Sequence, residues 1–548
     1  MKKECQAFPY QPRLSILTPV YNVAPKLLFA CVDSMIRQYY QNWEMCVVDD
    51  GSSRPETVEA LKKVAGLDMR ITVKFSPKNG GISAATNQAL EMATGEFIGL
   101  LDHDDELTPD ALYENAKLLN EHPEADFMYS DEDKLGLDGT PSDPFFKPDW
   151  SPEYFLSCMY TCHFGVYRTS LVRKVGGFRS SYDKAQDYDL VLRIIDQTKH
   201  IYHIPEILYH WRKIPGSTAT ALQEKDMSDA PATRALRDYV QRNTLNAEVE
   251  LDPNTTYHRI RYAIQDNPKV SILIPTNGKI VTTEDGRMIN LLVNCLKSIE
   301  EKTTYTNYEI IVAHNGNLTQ ETQDFIEKRA KETGRYIILH YVYHEPFNFA
   351  NKLNFIAKHA TGEYLLILND DIEVLTPEWM TAMLEYAQLP DIGVVGAKLY
   401  YPNGLLQHVG VVMGIGGGAS HVFVKRPKDE PGYFSSAKVI RNYSVVTGAC
   451  CLTKRALFEN LGGFDEQFAI DYNDVDYNLR VRAKGYRVVF TPYAELIHYE
   501  SISLGSRAGK TERPEEKLLR TRWAKVIQRD PYYNPHLTLQ DTNYQIRL

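Results

Sequence analysis

The chain has 548 residues, of which 43% are hydrophobic and 24% charged, the balance of a folded globular protein rather than a disordered or membrane-embedded one. That length exceeds what one hydrophobic core serves, so several domains or two large ones are expected. Lys+Arg 61 against Asp+Glu 71 gives a net charge of -10, which argues against binding driven by nucleic-acid phosphates, and no nucleic-acid partner is expected.

The opening stretch, MKKECQAFPYQPR, carries no signal-peptide apolar core, and no run approaches the roughly eighteen uninterrupted apolar residues of a membrane span. A cytoplasmic location is therefore expected. Eight cysteines without a CxxC pair make neither a disulfide framework nor a zinc knuckle. Cys158 and Cys162, beside His163, read as buried thiols before they read as metal ligands.

In chain order, SILTPV at 15–20 is the first expected strand, followed by a helix-like segment and a second apolar strand, CVVDDGS at 46–52. A helical stretch at 86–94 leads into a third, FIGLL at 97–101, a continuous apolar run of the kind a parallel strand buried on both faces presents. Residues 226–268 hold an amphipathic helix at 230–242 and a strand-like HRIRYAI, read as a connector plus the entry strand of a second domain. The pattern then starts again with SILIPT at 271–276, EIIVAHNG at 309–316 and YLLIL at 364–368. After about Arg507 a tail begins, with Pro514 and a basic amphipathic helix, EEKLLRTRWAKVIQR; its apolar side suits the protein's own surface or, less well, anionic lipid.

The recurrence extends to polar positions. Asn87-x6-Thr-Gly-Glu-Phe-x4-Asp102-x-Asp104 returns as Asn354-x6-Thr-Gly-Glu-Tyr-x4-Asn369-x-Asp371, at a constant offset of 267. Gly176-Gly177-Phe178 returns as Gly462-Gly463-Phe464, and Asp187-x-Asp189-x3-Arg193 as Asp474-x-Asp476-x3-Arg480, at offsets of 286 and 287. A period this long means a duplicated domain rather than a solenoid. The expected fold class is α/β, with two doubly wound, Rossmann-like domains that take ligand at the carboxyl ends of their strands. The expected boundaries are 1–225, a connector 226–268, 269–510, and a tail 511–548.

Asp102-His103-Asp104-Asp105 follows the strand at 97–101. Hard carboxylate oxygens suit Mg²⁺ or Mn²⁺, which bind through one or two protein carboxylates and complete their shell with substrate phosphates and water. A lone Asp-x-Asp is more often a solvated turn, but this one recurs as Asn369-Asp370-Asp371, and Asp49-Asp50-Gly51-Ser52 sits at another strand end. Asp187 and Asp474 each follow a GGF turn and open an amphipathic segment, which suits a general base and equally a helix cap. Tyr numbers 35, and Trp150 is the expected aromatic platform for an acceptor sugar. Neither first strand is followed by GxGxxG, which removes a dinucleotide oxidoreductase.

SILTPVYN, VVDDGS, NGGISAATNQAL, TGEFIGLLDHDDEL, GGF, QDYDLVLR and LYHWR, in this order, resemble the nucleotide-diphospho-sugar (GT-A) fold of family 2 inverting glycosyltransferases. SILIPT, TGEYLLILNDDIEV, GGFDE, NDVDYNLRVRAKGYRVVFTPYAELIHYES and DPYYNPHL resemble it again. The arrangement is similar to tandem enzymes, often labelled rhamnosyltransferases, of bacterial O-antigen and capsule assembly. The resemblance implies two tandem GT-A-like domains, nucleotide-diphosphate sugar donors, a divalent cation, and a glycan or lipid-linked saccharide acceptor that would bring the enzyme to the inner membrane face. Thr18 and Asp50 match contacts to base and ribose, Asp102 and Asp104 match the metal motif at the donor, and Asp187 matches the acceptor-activating base. Their second-half counterparts are Asn315, Asn369, Asp371 and Asp474. His210 and His498, closing LYH and LIH, match a further phosphate or metal contact of some members.

Departures from the pattern leave alternatives. His314-Asn315 replaces the strand-end acid pair and Asn369 the first metal-motif acid, so the second domain either uses another donor or grips acceptor glycan without turnover. Ala85-Thr86 stands where many relatives carry Arg, leaving the pyrophosphate to Lys78 or another group. The expected function is a bifunctional transferase; the rivals are one active domain with a degenerate partner, and a non-catalytic carbohydrate-binding protein.

Overall fold

The computed structural model describes residues 1–214, 230–252, 257–282, 286–342, 346–499 and 513–547. They divide into two compact units, Met1–Trp150 with Cys158–His258, and Ser151–Ser157 with Arg259–Leu548.

In the first unit, strands β1 (Leu14–Val20), β2 (Trp43–Asp49), β3 (Ile71–Phe75) and β4 (Phe97–Leu100) lie parallel in the order β3-β2-β1-β4. Every residue of β1 and β2 is buried, the physical reason they read as continuous apolar runs. β3 was not among the expected strands. It lies at the sheet edge with one buried residue in ITVKF, so no apolar run marks it.

Past β4 the sheet becomes mixed. Strands β5 (Glu106–Leu107), β6 (Phe127–Leu135), β7 (Pro141–Phe145), β8 (Gly165–Arg168) and β9 (Ile201–Arg212) extend it as β4-β8-β6-β9-β5, with β7 on β6. β8 runs antiparallel to β4 and β6, and β9 parallel to β6. Leu14, Ile16, Met45, Val47, Phe97 and Met128 meet Leu28, Val32 and Leu112 from the covering helices in one core.

The second unit repeats this order with Tyr336–His340, Tyr308–His314, Val270–Pro275, Tyr364–Leu368, Cys450–Lys454, Ile392–Tyr400, Arg487–His498 and Ile372–Val374. Registers repeat as well. Leu14 faces Phe97 and Phe97 faces Arg168 in one unit; Val270 faces Tyr364 and Tyr364 faces Lys454 in the other. The units part company between strands Leu406–His408 and Cys450–Lys454: residues 409–449 connect them, against 146–164 between β7 and β8. This longer connection produces the growth of the repeat offset, and it holds a hairpin of Val411–Met413 with Ala419–His421. Gly414, Gly416 and Gly417 turn that hairpin at positive φ, where a side chain would be strained.

The expected boundaries shift in three places. The helix Pro231–Arg242, read as a connector, is fastened to the first unit, with Asp238 2.7 Å from Arg179 and Arg242 paired to Asp196. Ser151–Ser157, expected in the first domain, belong to the second unit, where Glu153 pairs with Arg487 at 2.9 Å and the Ser151 hydroxyl donates to Asn442 at 2.8 Å. The tail helix is two helices, Pro514–Arg522 and Ala524–Gln528, separated at Trp523. Leu519 is fully buried beside Phe468 and Leu479, the Trp523 indole donates to Asp476 at 3.0 Å, and Arg522 reaches Asp465 and Asp476 at 2.7 and 2.9 Å. The apolar side of this segment is thus spent on the protein's own core. Among the described residues no helix is long and apolar enough to cross a membrane.

Candidate active site

In the first unit the chain leaves β4 through Asp102–Asp105 and returns as β5. Asp105 is an anchor: one carboxylate oxygen accepts from the Tyr209 hydroxyl at 2.6 Å and the other from the Arg212 N–H at 2.7 Å. Burial, then the charges of Asp102 and Asp104, push its carboxyl well above the ordinary range, and burial raises Asp104 too. Asp187 is the second residue of the helix Gln186–Ile194 and accepts the N–H of Tyr188 at 2.8 Å. Burial raises its carboxyl, and the charge of Asp102 adds to the rise, so the two carboxylates share one field.

One residue of this site went unassigned by sequence. The His163 ring stacks on Tyr209 with centroids 4.6 Å apart, and its Nδ1 lies 3.4 Å from Glu132. Glu132 is paired with the buried Lys147 at 3.0 Å. Burial opposes charge on His163, but the neighbouring Glu132 carboxylate, helped by the charges of Asp102 and Asp105, pushes its imidazole up to about 9. The signal available was His163 itself in TCHFG, read for its neighbouring thiols rather than for its imidazole.

At the end of β2, Asp50 accepts the N–H groups of Gly80 and Gly81 at 2.8 and 2.9 Å, tying the strand end to the loop before helix Ile82–Met92. Gly51 has φ +68°, and a Cβ there would lie 2.6 Å from the Asn79 nitrogen, so only glycine permits this approach. Thr18 is fully buried within β1, and its hydroxyl has no hydrogen-bond partner among the described residues; the side chain is sealed in the sheet rather than presented at the surface. Lys78 is exposed on the 78–81 loop. Trp150 is half-buried, its ring 6.4 Å from Phe127 and 6.3 Å from Tyr160.

The second unit answers with different chemistry at the same strand ends. The Asn315 side-chain oxygen accepts from Lys352 at 2.6 Å and its nitrogen donates to the Tyr341 carbonyl at 3.2 Å. Lys352 also donates to the Thr276 carbonyl at 2.7 Å, and burial lowers it to about 8. Lys352 stands 267 residues after Ala85, a buried cation in place of a methyl group, which setting ISAATN against FANKLN would have disclosed. Burial and Asp371 push Asp370 up to about 6, and the Thr276 hydroxyl donates to it. Asp371 lies 3.1 Å from His498 Nε2; His498 Nδ1 donates to Gln407 at 2.7 Å, and the Asn369 amide is 3.2 Å from Nε2. Asp474, second in the helix Asn473–Ala483, accepts from the N–H of Val475 at 2.8 Å and of Gly448 at 2.7 Å.

His210 and His498 are not equivalent, which corrects the pairing of LYH with LIH. Glu106 faces His210, whereas Glu373, its counterpart, faces Ile497, and Ile372 faces His498. His498 therefore matches Trp211, and His210 matches Ile497. A one-residue slip along a strand turns the side chain to the other face. His210 accordingly bonds Asp133 on β6 at 2.5 Å and is not gathered with Asp102 and Asp104. Among the described residues no three His, Cys, Asp or Glu side chains are grouped so as to hold a metal on their own.

Two α/β units share one strand order, and each ends its central strand in carboxylates, a duplicated architecture. The family model for glycosyl transferase family 2 matches residues 15–176 and 271–462, one span in each half of the chain. The chain belongs to this family. It is 39% identical to the uncharacterized protein y4gI of Sinorhizobium fredii, over 97% of this chain and 58% of the relative. It is 36% identical to the O-antigen biosynthesis protein RfbC of Myxococcus xanthus, over 98% of this chain and 41% of the relative. The chain thus spans about half the length of these curated relatives. Among solved structures, Staphylococcus aureus TarS 1-349 in complex with UDP-GlcNAc is 23% identical with a TM-score of 0.35, over 42% of this chain and 66% of that one.

Proposed function

We propose that each unit is an inverting, metal-assisted glycosyltransferase domain that moves a sugar from a nucleotide-diphosphate donor onto a growing surface polysaccharide or lipid-linked glycan, the latter at the inner membrane face. One observation carries the reading. Asp102 and Asp187 share a field at the carboxyl end of β4, and the second unit keeps Asp371 and Asp474 at the same strand and helix ends, with Asn369 in place of Asp102. The relatives' names, O-antigen biosynthesis protein and chondroitin synthase, accord with it.

In the mechanism, Asp187 in the first unit and Asp474 in the second take the proton of the attacking acceptor hydroxyl. The burial that raises Asp187 makes it a better base at neutral pH than an exposed carboxylate. Attack opposite the leaving nucleoside diphosphate, in one displacement with one base, inverts the anomeric centre. Asp102 and Asp104, and in the second unit Asp371 with His498, would hold Mg²⁺ or Mn²⁺. That cation's charge, when bound, stabilises the departing diphosphate. The donor set fits: the outer N–H of His498 is fixed by Gln407, leaving Nε2 toward Asp371, the usual orientation of a metal-binding imidazole. Two protein ligands suit a hard cation that completes its shell with donor phosphate.

Asp50 keeps unused lone pairs for the nucleotide beyond the two it gives the glycines. Asn315 is committed to Lys352 and Tyr341, which supports a different donor in the second unit. Trp150 would stack on acceptor sugar. Nucleoside diphosphate release by the purified chain with Mn²⁺ and a donor panel tests the reading, comparing Asp104→Ala with Asp371→Ala. Loss in one variant alone selects a single active unit. No release with any donor and acceptor would favour a carbohydrate-binding protein.

A further inference from the structure

The longer connection of the second unit does more than lengthen the chain. Near its end, Thr447 and Gly448 present two consecutive backbone N–H groups to two different side chains. The Gly448 N–H donates to Asp474 at 2.7 Å, and the Thr447 N–H donates to His408 Nε2 at 3.5 Å. A nitrogen that accepts carries no proton, so the His408 proton sits on Nδ1, facing His421 Nδ1 at 3.1 Å. His408 is fully buried, and burial keeps it neutral. A Cβ at Gly448 would lie 3.0 Å from the Asp474 Cβ, so a larger residue there displaces the Asp474 side chain by a few tenths of an ångström.

The residue before His408 faces the other end of the site. Gln407 accepts from His498, whose Nε2 meets Asp371. The short strand Leu406–His408 therefore touches both halves of the candidate chemistry with adjacent residues, one through an imidazole at the carboxylate pair and one through the turn that holds the base.

We propose that His408 is a positioning residue of the second unit. It fixes the turn Thr447–Gly448, which fixes the Asp474 carboxylate, and His421 on the inserted hairpin locks the His408 ring in the accepting tautomer. This rests on the reading of the second unit as a transferase. The first unit lacks the device: Gly448 matches Cys162 there, and no counterpart of the hairpin lies between β7 and β8.

The test uses the full chain with Asp104→Ala to silence the first unit, Mn²⁺, and UDP-glucose, UDP-GlcNAc, dTDP-rhamnose and GDP-mannose as probes. The readout is nucleoside diphosphate release to water, and its loss in Asp371→Ala defines the second unit's share. His408→Phe keeps the ring and removes both nitrogens. It is expected to lower kcat by roughly 10- to 100-fold, since misplacement of a base by about 1 Å is enough for that, with KM for the donor moving less than about twofold. His408→Gln, which returns an acceptor, is expected to regain part of the loss. Should His408→Phe fail to fold by near-UV circular dichroism, Gly448→Ala perturbs the same turn from the Asp474 side and is expected to show the same kcat-selective loss. A His408→Phe or Gly448→Ala chain that keeps kcat within twofold overturns the proposal alone. Absence of Asp371-dependent release with every donor overturns the transferase reading of this unit, and the proposal with it.

Discussion

His498 holds, in the second unit, the strand position that Trp211 holds in the first. The exchange has a partner. Phe97 faces Arg168 and Tyr364 faces Lys454, so His163 of the first unit corresponds to Ala449 of the second. Where the first unit has His163 with the Trp211 ring 5.3 Å away, the second has a methyl group and brings its imidazole from the strand Arg487–His498. Besides His103, which lies within the acid run of the first unit, each unit thus sets one histidine beside its strand-end acids and delivers it from a different part of the sheet.

This exchange predicts a transplant. His163→Ala in an Asp371→Ala background, which isolates the first unit, is expected to lower nucleoside diphosphate release by about tenfold or more, the scale of losing one positioned electrostatic group. Adding Trp211→His moves the imidazole to the second unit's position, and release is expected to recover several-fold. A double variant no better than His163→Ala would mean that the two histidines serve different ends.

Asp187 predicts a pH signature. Its carboxyl is raised by burial and by Asp102, so the base form is gained at higher pH than for an exposed aspartate. The acid limb of kcat/KM for the first unit is expected above the ordinary carboxylate range. Asp187→Asn is expected to cost about 10²- to 10⁴-fold in kcat while leaving Tm unchanged or higher, since an uncharged amide is cheaper to bury. A pH–rate profile for both chains checks this.

The parallel half of each sheet was legible because full burial writes an unbroken apolar run, and the duplication was legible because Asn87, Asp104 and Asp187 recur as Asn354, Asp371 and Asp474. What could not be read was set by partners distant in sequence. β3 lies on an edge and has no apolar run to betray it. Ser151–Ser157 read as part of the first domain, yet Glu153 finds its ion-pair partner at Arg487. LYH and LIH share their first and last letters, but strand register, which no local motif encodes, separates them by one residue. Lys352 and His163 were missed for one reason: an isolated basic residue gains a role only when folding buries it beside carboxylates or amides.

The His163–Glu132 pair predicts how the first unit's stability follows pH. His163 has a folded value of about 9, above its ordinary one, so its contribution is fully present below about pH 6.5 and is lost as pH rises through 9. Glu132, held to about 2 against its own burial by Lys147 and His163, contributes above about pH 4.5 and loses that contribution only as pH falls through 2. The pair is therefore strongest between these limits, and the histidine's share is on the order of 3 kcal/mol. Urea titrations from pH 6 to pH 10 are expected to show a falling midpoint for wild type and a flatter one for His163→Asn. Parallel curves would place the pH dependence elsewhere.

The tail supplies the last test, because its docking is dissected by two kinds of contact. Leu519 is fully buried among Phe468, Val475 and Leu479, so Leu519→Ala removes apolar surface from a packed cluster and is expected to destabilise the second unit by about 2–4 kcal/mol. Arg522→Ala removes the cation shared by Asp465 and Asp476; because the buried Asp476 retains Arg480 at 2.7 Å and the Trp523 indole, the expected cost is smaller, about 1 kcal/mol. Val475, which packs in the same cluster, neighbours Asp474 and supplies one of its two N–H contacts. Loosening the tail is therefore expected to lower second-unit turnover together with its Tm, while first-unit release, measured in the Asp371→Ala background, stays as it was. Differential scanning fluorimetry beside the two release assays measures all three quantities, and an unchanged Tm for Leu519→Ala would show that the tail does not pack in this cluster in solution.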